Sequence, residues 1–163
     1  MTIKTKSLIG SAGVHYVCAE LNMNGLIALP TVRNTRGMDV VVLSQSGSLL
    51  ANLQVKASSK KVTHWPIGKA YRDWNGENDY YIFVRYYDER FEAYLESAQN
   101  VILQVTNKQK EARKRGLAEW APCWYLPKTD KIPKPKIQWR FYSMFHRLPT
   151  KHDLSQAKED STL

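Results

Sequence analysis

The sequence predicts an α/β (α+β) fold in which a mixed central β-sheet is flanked by helices. Three observations predict this fold. A stretch with helical spacing opens the chain, β-branched and aromatic runs of strand length follow it, and a second helical stretch comes after them. With 163 residues, we expect one domain over residues 1–150 and a disordered C-terminal tail over residues 151–163.

The first element is a predicted helix over residues 11–24. Its apolar residues recur at the spacing of one buried helix face: Val14, Val17, Cys18 and Leu21. Gly25 follows where a helix C-terminal cap belongs. The sequence GSAG at 10–13 has neither the lysine nor the preceding strand of a phosphate-binding loop, so we interpret it as the lead into this helix.

Three strands are predicted next. Residues 26–29 form a short apolar strand that ends at Pro30, and residues 38–43 and 49–56 form two longer strands. Residues 44–48 contain Gly47 and predict the turn that joins the second strand to the third.

A hairpin and a second helix complete the pattern. Residues 80–86 and 91–95 are predicted to pair around a turn at Asp88 and Glu89. Ser97 is then the predicted cap of a helix that runs to about Arg115 and ends at Gly116. The proline-rich residues 122–135 are predicted to be irregular.

The composition points toward an anionic partner. The chain has 24 Lys and Arg against 15 Asp and Glu, a formal charge of +9, which is typical of proteins that meet nucleic acid. Charge alone does not separate nucleic acid from ribosomes or lipid headgroups. No apolar run approaches the ~18 residues of a membrane helix, and only two cysteines occur, so we expect a cytoplasmic protein without membrane spans or disulfides.

The basic residues are clustered. Residues 108–140 hold ten basic and three acidic residues, and residues 56–72 hold five basic and no acidic ones. A surface that follows the phosphate backbone requires such clustering. The candidate nucleic-acid contacts are Arg33, Arg36, Lys60, Lys61, Lys69, Arg72, Lys110, Arg113, Lys114 and Arg115. Aromatic residues such as Trp65 and Trp124 lie among them, and we interpret most of these as core residues rather than base-stacking platforms.

The hairpin around Ser46 and Gly47 predicts one functional cluster. Antiparallel pairing about that turn makes partner numbers sum to about 93, which places Asp39 opposite Gln54 and on the same face. Lys56 shares this face because it lies two residues further along the strand. Carboxylate and amide oxygens suit Mg²⁺, and a nearby ammonium can hold a water molecule or stabilise charge on a phosphate.

These residues resemble the motif of the PD-(D/E)XK (restriction-endonuclease-like) nuclease superfamily. The resemblance covers residues 10–86 and involves GSAGVHYVCAELNMNG, the aspartate of RNTRGMDVVVL, the strand LQVK and the strand NDYYIFV. It implies that Asp39, Gln54 and the Val55 backbone carbonyl bind Mg²⁺, with Mn²⁺ as a substitute, and that Lys56 is the catalytic lysine. It further implies an endonuclease that acts on DNA rather than RNA as a homodimer or homotetramer.

The sequence departs from this family in its first helix. Members carry an acidic residue where Val14 stands here, and Glu20 is the acidic residue of the predicted helix that could take its place as a metal ligand. Because Val14 is apolar and Gln54 is neutral, a second hypothesis is a degenerate nuclease-fold module that binds nucleic acid without cleaving it. A third is a basic protein that binds another protein.

Overall fold

The computed structural model describes residues 6–32, 37–117 and 121–126. In these residues a five-stranded sheet lies between two long helices, which confirms the predicted mixed α+β fold. The expected domain limits and C-terminal tail, together with Arg33, Arg36 and the basic residues after residue 127, lie outside the described residues. None of the described helices is long and apolar enough to span a membrane.

Helix α1 (Lys6–Met23) begins before the predicted start. The GSAG segment is therefore part of the helix, which corrects its interpretation as a lead-in. Gly13 is the buried residue of this segment, and a Cβ atom there would lie 2.7 Å from the Cβ of Ala57. The missing side chain lets the helix approach the sheet closely. The helix ends as predicted at Gly25, whose φ is +81°.

The main sheet has the strand order β1-β2-β3-β5-β6. Its strands are β1 (Ile27–Pro30), β2 (Val40–Leu43), β3 (Leu49–Ser58), β5 (Asp79–Tyr87) and β6 (Arg90–Ser97). Strands β3 and β5 pair in parallel, and the other neighbours pair antiparallel. The β5–β6 turn consists of Asp88 and Glu89, both with positive φ, as a two-residue hairpin turn that follows the twist of its strands requires.

The connection from β3 to β5 departs from the prediction. It contains the short strand β4 (His64–Pro66) and a 3-10 helix (Lys69–Asp73), and β4 pairs with β7 (Cys123–Tyr125). The prediction that residues 122–135 are irregular was therefore wrong for β7. Strands of three residues are too short to show alternation, and here Trp65 and Trp124, each only 2% exposed, stabilise the pair by packing.

The sheet separates two apolar cores. On one face α1 packs on Leu53, Val55 and Val84. On the other face helix α2 (Ala98–Lys114) packs with Tyr81 and Phe83, and the tryptophans of β4 and β7 join that core. The Ser97 hydroxyl caps α2 as predicted by accepting from the Asn100 backbone N–H. Alternate residues of β3 and β5 thus face different environments, which fixes where polar side chains can lie.

Candidate functional site

The register of the β2–β3 hairpin follows the prediction. Val40 pairs with Leu53 and Val42 with Ala51, so these partner numbers sum to 93; the register shifts by one next to the turn, where Leu43 pairs with Leu49. Leu53 and Val55 lie in the core beneath α1. Because side chains alternate along a strand, Gln54 and Lys56 lie on the opposite face of the sheet, the face that also carries α2. Both are partly buried.

Asp39 lies directly before β2 and is held by the backbone of β3. Its Oδ2 accepts a hydrogen bond from the Val55 N–H at 2.7 Å, and its own N–H donates to the Leu53 carbonyl at 2.8 Å. The carboxylate thus lies against the strand segment that carries Gln54. In the described part of the chain no donor engages Oδ1, so this oxygen is oriented and available as a ligand.

Gln54 is oriented by the loop before β2. Its Nε2 donates to the Gly37 carbonyl at 2.8 Å. A carbonyl oxygen only accepts, so the amide nitrogen must face it and Oε1 remains as an acceptor. Gly37 has a φ of +76°, and a Cβ there would lie 2.9 Å from the Trp74 ring. Glycine therefore lets this loop run beneath Trp74 and reach Gln54.

Lys56 is a partly buried cation on the face of Gln54. In the described residues its ammonium makes neither a hydrogen bond nor an ion pair. Burial lowers the pKa of Lys56, and the negative charge of Asp39 opposes that shift. A desolvated ammonium without a partner costs folding free energy, which is typical of groups retained for binding or catalysis.

Glu20 is not brought to this cluster. It lies on α1, which packs against the other face of the sheet, and its charge acts on Tyr16, whose pKa is raised mainly by burial and further by Glu20. Val14 packs at the edge of the α1 core. Among the described residues no three His, Cys, Asp or Glu side chains are close enough to share a metal ion. Of the predicted metal-binding side chains, Asp39 and Gln54 both lie at the β2–β3 pair, and Glu20 does not.

Asn52 and Asp79 are two further polar residues of this face, and Asn52 was not among the predicted site residues. Asn52 lies two residues before Gln54 on β3, and its Nδ2 donates to Asp79 Oδ1 at 3.1 Å. Asp79 Oδ2 accepts from the Gly76 N–H at 2.8 Å. The position of Asn52 on the face of Gln54 was the available signal. Because both oxygens of Asp79 are engaged, this residue closes a turn rather than offering a ligand.

The predicted nucleic-acid contacts that are described form two exposed groups. Lys60, Lys61, Lys69 and Arg72 lie in the β3–β5 connection, and Lys110, Arg113, Lys114 and Arg115 lie toward the end of α2. The first group begins two residues after β3, the strand of Gln54 and Lys56. The second group borders a cleft that is lined by residues including Lys108, Arg115 and Tyr125, with Lys108 Nζ 4.1 Å from the Tyr125 ring centre.

The comparisons with known proteins include a likeness to a solved structure. No protein-family model and no curated protein matches the sequence. A solved structure of a bacterial homing endonuclease, I-Ssp6803I, is similar to this chain with 17% identity and a TM-score of 0.47, over 99% of this chain and 100% of that chain. The function proposed for this protein therefore depends on the chemistry of its own residues.

Proposed function

We propose that this protein is a Mg²⁺-dependent endonuclease that hydrolyses phosphodiester bonds in DNA, with Asp39, Gln54 and Lys56 as its active site. One observation carries the proposal. Among the described residues, Asp39 and Gln54 each have one polar atom fixed by the backbone and one oxygen that accepts no hydrogen bond, and the ammonium of Lys56, which has no partner there, lies on the sheet face of Gln54. Such preorganised groups are what a catalytic site requires.

The donor set fits the proposed metal. Asp39 Oδ1 and Gln54 Oε1 are hard oxygen ligands, and the Val55 backbone carbonyl is the third proposed ligand. Mg²⁺ is commonly bound through few protein oxygens with water completing its octahedron, and Mn²⁺ accepts the same donors. When bound, the metal polarises a phosphoryl oxygen and lowers the pKa of bound water. Glu20 is left out because it packs on the other side of the sheet.

Lys56 supplies charge and a proton. Its ammonium stabilises the negative charge that develops on the phosphate, and it orients the attacking water by donating a hydrogen bond. Because burial lowers its pKa, this group loses and regains a proton more readily than an exposed lysine does. The exposed lysines and arginines of the β3–β5 connection and of α2 hold the phosphate backbone.

The testing experiment is nicking of supercoiled plasmid in Mg²⁺ or Mn²⁺. We expect Asp39→Asn and Lys56→Met to lower the nicking rate on the order of 10²–10³-fold. Asp79→Asn is the matched control, because it changes an aspartate on the same face that has both oxygens engaged. Nicking that survives Asp39→Asn, or that is lost equally in Asp79→Asn, would contradict the proposed site.

The small ligand set favours a second function. The structure brings one carboxylate and one neutral amide together, which is little negative charge for holding a divalent cation. A module that binds nucleic acid without cleaving it would show salt-dependent DNA binding and no nicking with either metal. Measuring the affinity for DNA and for RNA of the same sequence shows which of the two nucleic acids the protein prefers.

We also propose that the active form is a homodimer or homotetramer, because one such site cuts one strand and a duplex has two. Sedimentation of the full chain with and without duplex DNA measures this state. A monomer in both conditions that still cleaves both strands in one encounter would contradict it.

A further inference from the structure

A second polar cluster lies on the same sheet face, at the hairpin end of β5 and β6. We call it the Arg85–Glu92 cluster; its members are Arg85, Glu92, Tyr87 and Tyr94. Arg85 and Glu92 are cross-strand partners, and each is only 8% exposed. Arg85 also pairs in register with Ser58, the last residue of β3. The cluster therefore adjoins the strand that carries Gln54 and Lys56.

Every member of the cluster is engaged. Arg85 Nε and Nη2 both lie 2.6 Å from Glu92 Oε2. The Tyr87 hydroxyl donates to Glu92 Oε1 at 2.7 Å, and the Tyr94 hydroxyl donates to Oε2 at 3.1 Å. Burial raises the pKa of Glu92, but the hydrogen bonds from Tyr87 and Arg85 outweigh it, so the net shift is downward. Glu92 thus stays ionised and holds the guanidinium in one orientation.

That orientation directs one nitrogen outside the cluster. Arg85 Nη1 donates to the backbone carbonyl of Val62 at 2.7 Å. Val62 belongs to a short segment, residues 59–63, which we call the basic segment because it carries Lys60 and Lys61. Lys61 Nζ also lies 5.3 Å from the ring centre of Tyr87, so the cluster contacts the segment through backbone and side chain.

The ends of the basic segment are held independently. The Lys60 N–H donates to the Ser58 hydroxyl at 3.2 Å, and the Thr63 carbonyl accepts from the Leu126 N–H at 2.8 Å. Between these ends Arg85 anchors the Val62 carbonyl, and the Val62 side chain packs against the core beneath α2. Both lysines are exposed, so their ammonium groups face solvent while the backbone beneath them is fixed to a buried charge.

We propose that Arg85 is a positioning residue: through its hydrogen bond to the Val62 carbonyl it fixes Lys60 and Lys61 for contact with the phosphate backbone beside the active site. This inference rests on the proposed function, because it assigns those lysines to nucleic acid. A fixed backbone lowers the conformational entropy that binding must otherwise remove. Lysine is no substitute for Arg85, since one ammonium lacks the fork that reaches Glu92 and Val62 together.

The first test measures the segment without nucleic acid. Limited digestion of the full chain with trypsin, followed by mass spectrometry, gives cleavage rates after Lys60 and Lys61. We expect Arg85→Lys to raise these rates several-fold relative to cleavage after the lysines of α2. Arg90→Lys is the matched control, because Arg90 lies on the same hairpin in an exposed ion pair with Asp88. Unchanged rates in Arg85→Lys would overturn the inference.

The second test measures DNA binding in EDTA, so that loss of cleavage has no effect on it. Each phosphate contact contributes about 0.9 to the slope of log affinity against log salt concentration. We expect Lys60→Ala/Lys61→Ala to lower that slope by up to about 1.8, and Arg85→Lys to lower it by between about 0.9 and 1.8. Combining all three substitutions should give no further decrease.

Four outcomes distinguish failure of the inference from failure of the proposed function. If the decreases in slope caused by Arg85→Lys and by Lys60→Ala/Lys61→Ala add independently, the positioning role is overturned. An unchanged slope in Arg85→Lys overturns it as well. An unchanged slope in Lys60→Ala/Lys61→Ala overturns the nucleic-acid role of the segment. A protein that binds as expected but fails to nick plasmid contradicts the proposed catalysis and supports the inference. Arg85→Met/Glu92→Leu, which replaces the ion pair with apolar side chains, repeats both tests if Arg85→Lys is unfolded.

Discussion

Two polar clusters lie side by side on one face of the sheet and differ in how they are satisfied. In the Arg85–Glu92 cluster each charged group has a partner of opposite charge and further hydrogen bonds. In the candidate site Lys56 is desolvated without such a partner, and Asp39 and Gln54 each have an unengaged oxygen among the described residues. The first arrangement is what structural stability requires, and the second is what a binding site requires.

Because of this difference, removing the charge of Arg85 and removing that of Lys56 should change the free energy of unfolding in opposite directions. Arg85→Met should give the largest change. It leaves the Glu92 carboxylate buried without its cation, so we expect the free energy of unfolding to fall by about 3–5 kcal/mol. Urea denaturation measures it. Arg85→Met/Glu92→Leu should recover most of the loss, and equal losses in the single and double variants would contradict this explanation.

Lys56→Met should have the opposite effect on stability. Because the ammonium of Lys56 is desolvated and unpartnered, its replacement by a side chain of similar length should raise the free energy of unfolding by about 0.5–2 kcal/mol, while nicking is lost. The control is Lys110→Met at an exposed position of α2, which should change stability little. A Lys56→Met variant that is less stable than the wild type would show that the ammonium has a structural partner.

Two tyrosine hydroxyls show the same contrast with a smaller expected effect on stability. The Tyr94 hydroxyl donates to Glu92, whereas the Tyr81 hydroxyl is buried without a hydrogen-bond partner among the described residues. We expect Tyr94→Phe to lower the free energy of unfolding by about 1 kcal/mol and Tyr81→Phe to raise it by a similar or smaller amount. If Tyr94→Phe and Tyr81→Phe change stability equally in thermal denaturation, the two hydroxyls do not differ as described.

The pH dependence of stability should differ between the clusters and is the smallest effect. The pKa of Glu92 is lowered by folding, so its contribution is present above its usual value of 4.5 and is lost as pH falls through the folded pKa. The pKa of Lys56 is also lowered, so its penalty is present at neutral pH and is relieved as pH rises toward 10.5. The free energy of unfolding should be measured against pH for the wild type and two variants. The wild type should lose its advantage over Glu92→Gln at acidic pH, and its disadvantage relative to Lys56→Met should shrink at alkaline pH.

The fold was predictable wherever the sequence pattern was long. The β2–β3 register, the β5–β6 hairpin and the second helix from Ser97 to Gly116 all match their predictions, because periodicity and turn chemistry act locally. The start of α1 was missed because Gly10, directly before the predicted start, disfavours a helix in isolation. The structure shows that the helix nevertheless extends back to Lys6.

The candidate site was predictable to the extent that it depends on one hairpin. Strand alternation predicts that Gln54 and Lys56 share a face of β3, and in the structure they do; Asp39 lies just before β2, where its N–H bonds the Leu53 carbonyl. Glu20 could not be decided from the sequence, since a helical wheel gives a direction around the helix axis but not which face of the sheet the helix covers.

The sequence by itself determined the strands of the main sheet, most of the two long helices, the hairpin register and the excess of positive charge, because these depend mainly on residues that are near one another in the chain. The tertiary structure decided which charges are satisfied. Arg85, Glu92 and Val62 are separated in sequence, and so are Gly37, Gln54 and Trp74, so their contacts exist only once the sheet has formed and desolvated them. Burial makes a charge depend on its neighbours, and the sequence does not state which neighbours folding will supply.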